Sequence, residues 1–393
     1  MPQARPRAGY PITAFATANA LGMDAPAVLA GLRAGRTGLA RCRLDVPFET
    51  ACGALPDDLP PPPARLRPFD TRLCRMALHL VDGMAGAIQA AVRRWGADRV
   101  AIAVGTSTGG ILETERAYAH WRAHGRMPEG FDFDRQHTFH ALSAALRAAT
   151  GAEGPAWVVS TACASGAKVF GTGQRLLSAG LVDAVLVGGV DTLCQTTLRG
   201  FASLQAISRS PCRPFSAERD GLSIGEGGAF ALLEREGDGP VRLLGVGESS
   251  DAHHMSAPHP EGAGARLAME EALAQAGLSG REVDHVNAHG TATPANDAVE
   301  GRAVAAVVGT EVPVASTKGY TGHLLGAAGA AEAVIAALCI VHGWVPASLG
   351  AEPVDPAVPA NVVTAGTARR VRTVLSNSLA FGGSNASLVL GAA

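Results

Sequence analysis

Short runs of β-branched and apolar residues alternate with longer alanine-rich segments along most of the chain. This is the pattern of an α/β protein whose sheets are covered on both faces. Five of the runs read as strands: residues 97–108 (ADRVAIAVGTST), 154–162 (GPAWVVSTA), 182–192 (VDAVLVGGVDT), 283–293 (VDHVNAHGTAT) and 312–319 (VPVASTKG). Each closes on a Gly, Ser or Thr cluster, so its C-terminal edge leads into a loop. The proline-rich stretch 55–68 reads as an extended surface connection, and 350–370 as a second one.

The pattern repeats. Residues 82–106 run helix, turn, strand and then Gly-Thr, and residues 264–291 do the same. WVVSTACASGAKVFGTGQRLL (157–177) is echoed by VPVASTKGYTGHLLGAAGAAEA (312–333), each a strand, a Ser-Thr step, a short loop and a small-residue helix. Two related halves are expected, residues 1–240 and 241–393. Their pseudo-symmetry would carry Cys163 toward His289 and His323.

Composition narrows the function classes. The 393 residues are 47% hydrophobic and 17% charged, a well-buried globular balance. Forty-eight glycines and only 5% aromatics allow backbones to pack closely around narrow channels. A net charge of −2 provides no field for nucleic acid or a membrane surface. Lysine occurs only at Lys168 and Lys318, both inside chemistry-bearing segments. The seven cysteines are scattered without a CxxC pair, and the opening MPQARPRAGYPIT has no apolar core for export. The most apolar stretch, 330–345, carries Glu332 and is too short for a membrane span. A cytoplasmic location is expected.

Four segments carry candidate chemistry. In TACASGA, Cys163 sits where a strand gives way to a helix; the positive end of the helix dipole favours thiolate, and small neighbours admit a carbonyl. A buried packing cysteine is the competing reading. In NAHGTATPANDAVEG, His289 ends a strand, Thr291 and Thr293 offer hydroxyls, and Asp297 falls in the first turn of a helix. In STKGYTGHLLGAAGAAE, Lys318 and His323 flank a tight turn. Glu332 pairs with Lys318 if the loop folds back, and Gly326 and Gly329 let the helix pack tightly. In SNSLAFGGSNASLVL, Gly382-Gly383 frees the backbone around Phe381, whose N–H, with that of Cys163, suits an oxyanion hole; a plain hairpin turn accounts for the same residues. His253, His254 and His259 match no standard metal-ligand spacing, and GTSTGG and GTGQRL match no nucleotide-binding loop. No metal or nucleotide is expected.

Together these segments, with CRPFSAERDGLSIGEGG (212–228) and SSDAHHMSAPHPEGAG (249–264), resemble the β-ketoacyl-acyl-carrier-protein synthases of the thiolase-like superfamily. The resemblance implies a five-layered α-β-α-β-α fold of two pseudo-symmetric halves. It implies that Cys163 takes an acyl chain from a carrier-protein thioester, and that His289 and His323 assist decarboxylative condensation with malonyl-carrier protein. Lys318 and Glu332 would organise the histidines, Phe381 would gate the site, and Thr291 and Thr293 would contact a phosphopantetheine arm that the substrate itself brings; no separate cofactor is implied. The partners implied are an acyl carrier protein and a second subunit, either another copy or a chain-length-factor-like chain.

Departures from the family pattern shape the remaining expectations. ITAFATANALG replaces the usual glycine-rich opening strand, and Leu379 stands where phenylalanine is common. Thr108 falls where acyl-channel depth is often set. AKVFG and GGVDTLC tilt the resemblance toward polyene or polyketide assembly rather than housekeeping fatty-acid synthesis. Arg65, Arg67, Arg72 and Arg75 form a candidate docking patch for the acidic carrier, and Arg209 with Arg213 a second; a solvated arginine face accounts for either. A Cys-His thioester hydrolase is the rival enzyme reading, but it leaves the second histidine and Lys318 without a task.

Overall fold

The computed structural model describes residues 9–393; the first eight residues of the stretch judged too polar for export lie outside them. The first half begins with β1 (Tyr10–Ala18), α1 (Ala25–Arg33) and a hairpin of β2 (Leu39–Arg41) and β3 (Ala51–Gly53). Helices α2 (Arg72–Asp82) and α3 (Ala85–Trp95) lead to β4 (Val100–Gly105). Then come α4 (Ile111–His124), α5 (Phe133–Gln136), α6 (Phe139–Thr150), β5 (Ala156–Val159) and α7 (Ser165–Ser178). β6 (Ala184–Asp191), α8 (Gln195–Ser203) and β7 (Gly227–Glu234) complete it.

The second half runs β8 (Val241–Ser250), α9 (Ala263–Ala276), β9 (His285–Asn287), α10 (Pro294–Val308), β10 (Pro313–Ala315), α11 (Lys318–Thr321) and α12 (Ala328–His342). Short strands β11 (Trp344–Val345), β12 (Asn361–Val362) and β13 (Thr367–Ala368) precede the closing hairpin of β14 (Thr373–Ala380) and β15 (Ser384–Ala392).

The repeat in the sequence is a repeat in topology. The first half orders its strands β5-β4-β6-β7-β1, the second β10-β9-β14-β15-β8. In each, the first three strands are parallel and the next two join antiparallel. β1 and β8 pair antiparallel, so hydrogen bonding runs unbroken from one sheet into the other. Helices α7 and α12 lie between the sheets and touch both; α2, α3 and α6 cover the first sheet outside, α9 the second, with α10 against it. Five layers result, as expected. All five runs read as strands contain one: β4, β5, β6, β9 and β10.

Small residues decide how closely the central helices approach. A Cβ on Gly166 of α7 would lie 2.7 Å from Gly326 O and 2.8 Å from Ala330 N. One on Gly329 of α12 would lie 2.7 Å from Ala167 N. Only glycine allows this crossing, and the crossing sets the distance between the loops that precede the two helices.

The proline-rich stretch departs from expectation. It is less of a surface strap than its composition indicates, because Leu55, Leu59 and Leu66 are buried and residues 64–69 wind into a 3₁₀ turn. Leu325–His342 is the one helical stretch, among the described residues, long and apolar enough to cross a membrane. It is 89% buried inside the fold, which makes it the central helix of a core.

Candidate active site

The site forms where the two equivalent loops meet. Leaving β5, the chain places Ala162 at φ 49°, a left-handed conformation that turns Cys163 inward two residues before α7 begins. Ala292 and Leu325 hold positive φ in the loops of His289 and His323. Such strain persists where the surroundings over-determine a loop. His323 Nε2 lies 2.9 Å from Cys163 Sγ, and the rings of His289 and His323 meet edge to face, 5.3 Å between centroids.

Backbone bonds fix each histidine. His323 N–H donates to Ser223 O (2.7 Å), and Gly225 N–H to His323 O (2.9 Å). The His289 loop is held from the helix that follows: the Glu300 carboxylate accepts from the N–H groups of His289 and Gly290, both 2.7 Å. Asp297 accepts from Ala292 and Phe215 N–H. The sequence reading placed Asp297 in a helix dipole and did not single out Glu300, although it stands eleven residues after His289 in the same motif. Asp191 is a second missed residue. Fully buried, it accepts from the N–H and hydroxyl groups of Ser107 and Thr108, from Thr106 Oγ1 and from Gly326 N–H, tying the first-half loop to the start of α12.

Lys318 and Glu332 form the expected buried ion pair. The Lys318 ammonium also donates to His289 O and lies 3.4 Å from His289 Nδ1. A donor at Nδ1 leaves the ring proton on Nε2, pointing into the site. Burial first, and the Lys318 charge second, hold both imidazoles well below the usual histidine range, so both are neutral near pH 7. Burial lifts the Glu332 carboxyl to about 7 even with Lys318 beside it.

The cysteine departs from expectation. Burial pushes the Cys163 thiol up to about 12, against the opposing pull of Lys318 and the Phe381 N–H. The resting site is therefore a neutral thiol facing a neutral imidazole rather than a free thiolate. The helix end is outweighed because Cys163 is only 7% exposed and packs within the hydrophobic core.

A cavity of about 300 Å³ leads from the surface to Cys163, His289 and His323, with Thr291 and Thr293 on its wall. The two threonine hydroxyls are 2.9 Å apart. Phe381 stands at the mouth in the three-residue turn between β14 and β15, its N–H toward the sulfur. Its ring packs against Phe201, 5.6 Å between centroids, a partner the sequence reading missed because it is remote in the chain. Leu379 lines the same cavity.

Other expected residues sit differently. Thr108 is buried, its hydroxyl bonded to Asp191, and it does not line this cavity. Of the basic patch, Arg65 and Arg67 are exposed. Arg72 turns inward, bonded to the Glu226 carboxylate and to Leu55 and Pro56 carbonyls, and Arg75 is held by Asp70. Neither guanidinium is free for a carrier, so the four do not make one docking face. Arg213 pairs with Glu218, while Arg209 is exposed. Among the described residues, one group of metal-ligating side chains converges, Cys163, His289 and His323, with donor atoms within 4.8 Å. The Lys318 ammonium behind His289 opposes a cation there.

Known proteins match this chain over most of its length. The β-ketoacyl synthase N-terminal domain matches residues 73–239 and the C-terminal domain residues 241–352. The 3-oxoacyl-[acyl-carrier-protein] synthase 2 of Vibrio cholerae is 32% identical over 342 residues, 80% of this chain and 82% of that protein. The mitochondrial 3-oxoacyl-[acyl-carrier-protein] synthase of Arabidopsis thaliana is 40% identical over 261 residues, 61% of this chain and 57% of that one. A chain from the complex of the ketosynthase ApeO with its chain length factor ApeC, from Xenorhabdus doucetiae, superposes with a TM-score of 0.93 at 38% identity, covering 99% of this chain and 100% of that one. A chain of the ishigamide ketosynthase/chain length factor superposes at 0.89 and 30% identity, with the same coverage. With both halves matched, the fold shared and a buried thiol set against two neutral histidines, this chain belongs to the β-ketoacyl synthase family of acyltransferases, which form carbon–carbon bonds in fatty-acid or polyketide elongation.

Proposed function

We propose that this chain condenses a Cys163-bound acyl group with malonyl-acyl-carrier protein, as the catalytic half of a ketosynthase–chain-length-factor pair in polyene or polyketide-type assembly. The observation that carries the reading is the 2.9 Å approach of His323 to Cys163 at the foot of a cavity lined also by His289.

In the first step the carrier's phosphopantetheine arm enters past Phe381, its amides hydrogen-bonded by Thr291 and Thr293. As the Cys163 sulfur attacks the thioester carbonyl, His323 Nε2 takes the thiol proton. The N–H groups of Cys163 and Phe381 receive the oxyanion. Collapse breaks the carbonyl–sulfur bond to the carrier, and the proton passes to the departing thiolate. In the second step the malonyl thioester oxygen accepts hydrogen bonds from His289 Nε2–H and, once exchange with solvent has moved the His323 ring proton from Nδ1 to Nε2, from His323. That stabilises the enolate formed as carbon dioxide leaves. The enolate carbon attacks the acyl-Cys163 carbonyl, the carbon–sulfur bond breaks, and the cysteine sulfur regains a proton from solvent. Neutral imidazoles suit this step, because they donate without first losing a proton to the carboxylate. Lys318, held by Glu332, fixes the His289 tautomer. The two halves, 1–240 and 241–393, contribute the cysteine and the histidines respectively.

Both structural relatives described above come from pairs with a chain length factor. This chain ends its first sheet on β5, where Trp157 is 37% exposed; Phe133 and Phe139, which open α5 and α6, are exposed too. An open edge with aromatic side chains favours a partner subunit over solvent. Of the candidate docking arginines, Arg65, Arg67 and Arg209 are exposed and available to an acidic carrier. The substrates bring their own phosphopantetheine, and the reaction sits in the cytoplasm, where such carriers are loaded.

Intact-mass spectrometry after incubation with a panel of acyl-carrier-protein thioesters tests the reading, with Cys163→Ala as control and malonyl-carrier protein added afterwards. An adduct on the wild type alone, discharged as a product two carbons longer, is expected. Release of free acid without malonyl-carrier protein would establish the hydrolase instead. No adduct with or without the co-expressed partner would end the proposal.

A further inference from the structure

Two cysteines outside the active site face each other. Cys42 follows β2, and its N–H donates to Thr50 O (2.9 Å). Cys52 lies in β3 opposite Ala40. Positions 40 and 42 share a face of one strand and 50 and 52 a face of the other, so the two thiols are diagonal neighbours across the hairpin. Both line one cavity of about 590 Å³. Cys42 is half-buried and Cys52 buried. The Cys52 thiol beside it brings Cys42 down to about 6, and the Cys42 neighbour, with burial, pushes Cys52 up. Cys42 is thus the reachable thiol of the pair, whereas Cys163 is buried.

The hairpin is tied to the active site through backbone. Gly53, next to Cys52, donates to Ile224 O (2.9 Å) and accepts from Glu226 N–H (2.8 Å). The same segment grips His323 from its other side, through Ser223 O and Gly225 N–H. A Cβ on Gly53 would collide with Thr321 O, so β3 has no slack against the His323 loop.

We propose that Cys42 and Cys52 form a peroxide-responsive dithiol whose closure slows acyl loading of Cys163. The Cys42 sulfur attacks the peroxide O–O bond and retains one oxygen as sulfenic acid, releasing water. The Cys52 sulfur then displaces that oxygen as a second water and forms the S–S bond. Two thiol hydrogens and two electrons pass to one peroxide. Because the partners are diagonal, closure draws β3 along β2 and moves Gly53, and with it the segment that fixes His323.

The loading effect rests on the proposed condensing function; the disulfide does not. Purified protein is treated with hydrogen peroxide, alkylated, digested and mapped, and acyl loading of Cys163 is timed before oxidation, after it, and after dithiothreitol. A Cys42–Cys52 cross-link with Cys163 still alkylatable is expected. Loading should slow, by up to about 100-fold for a shift of about 1 Å at His323, and should recover on reduction. Cys42→Ser should abolish the cross-link and keep loading constant under peroxide. Oxidation of Cys163 first, a Cys42 sulfinic acid without a cross-link, or a cross-link that leaves loading unchanged would each overturn the proposal. Failure of the reduced wild type to load any acyl group would instead count against the condensing function.

Discussion

His323 Nε2 and Cys163 Sγ, 160 residues apart in the chain, lie 2.9 Å apart in a site where neither group is charged. Since burial holds the thiol at about 12, only about 10⁻⁵ of it is thiolate at pH 7. Inactivation by iodoacetamide should therefore climb about tenfold per pH unit from pH 7 to 9, with no plateau. A plateau beginning below pH 8 would show that the helix end outweighs burial after all. His323→Ala should slow acyl loading by about 10²- to 10⁴-fold, the range of a lost general base, with Cys163 itself intact.

Lys318 acts on charge as well as on position. Its ammonium disfavours a second positive charge on either histidine, so removing it raises both imidazoles toward their ordinary range. Lys318→Met alone strands the Glu332 carboxyl and should cost about 3–5 kcal/mol in urea unfolding. Lys318→Met/Glu332→Gln removes both charges and should recover most of that loss. In the double variant the acid limb of the condensation profile should move to higher pH, because the histidines then protonate sooner. An unmoved limb would mean that burial alone keeps them neutral.

Much of this site was legible because its residues arrive in short motifs at strand ends. Cys163, His289, Lys318 and His323 each follow an apolar run whose burial is dictated by composition, and the repeated pattern by itself brings the loops together. The ionisation of Cys163 was not legible: the local sequence shows a helix start, while the outcome depends on desolvation by both halves. Arg72 misled for a similar reason. Its charge is plain in the sequence, but Glu226, 154 residues away, turns it inward. Asp191, Glu300 and Phe201 serve through contacts across the fold, and only Glu300 shares a motif with the residue it supports.

Acid should destabilise the fold through buried neutral histidines. His285, fully buried in β9 against Pro313 O, is held at about 4 by burial. Its folded value lies below the ordinary one, so the stability it contributes is complete above pH 6.5 and is lost as pH falls through 4. That loss amounts to about 3 kcal/mol, and His289 and His323 add to it in the same direction. Glu332, raised to about 7, and the buried Asp297 and Glu300, also raised by burial, work oppositely, their contributions being lost as pH rises. Between pH 6.5 and 4 the urea midpoint of the wild type should therefore drop relative to that of His285→Gln, which retains a donor for Pro313 O. An equally steep fall in the variant would place the acid sensitivity elsewhere.

The open edge of β5 gives the assembly a specific test. Trp157→Lys puts a charge on an exposed edge strand, a substitution natural sheets use to block edge pairing. Because Trp157 is already 37% exposed, the folded monomer should lose little, with melting within a few degrees of wild type. Sedimentation with a co-expressed partner should shift from dimer toward monomer. An unchanged dimer would move the interface away from β5.

The crossing of α7 and α12 links packing to chemistry most directly. A Cβ on Gly329 would lie 2.6 Å from Ser378 Oγ and 2.7 Å from Ala167 N, closer than real side chains approach, and one of those contacts is backbone. Gly329→Ala must therefore part the helices. The expected cost is about 1–3 kcal/mol, as for overpacking elsewhere. The larger effect should be kinetic. The loops before the two helices carry Cys163 and His323, so a wider crossing lengthens the 2.9 Å contact on which loading depends. Acyl loading of Cys163 should fall by about tenfold or more for a few tenths of an ångström, while Gly200→Ala, at an open position on α8 with nothing within 4 Å of its added Cβ, leaves loading unchanged. A Gly329→Ala protein that melts lower yet loads at the wild-type rate would show that the loops hold their geometry independently of the helices behind them.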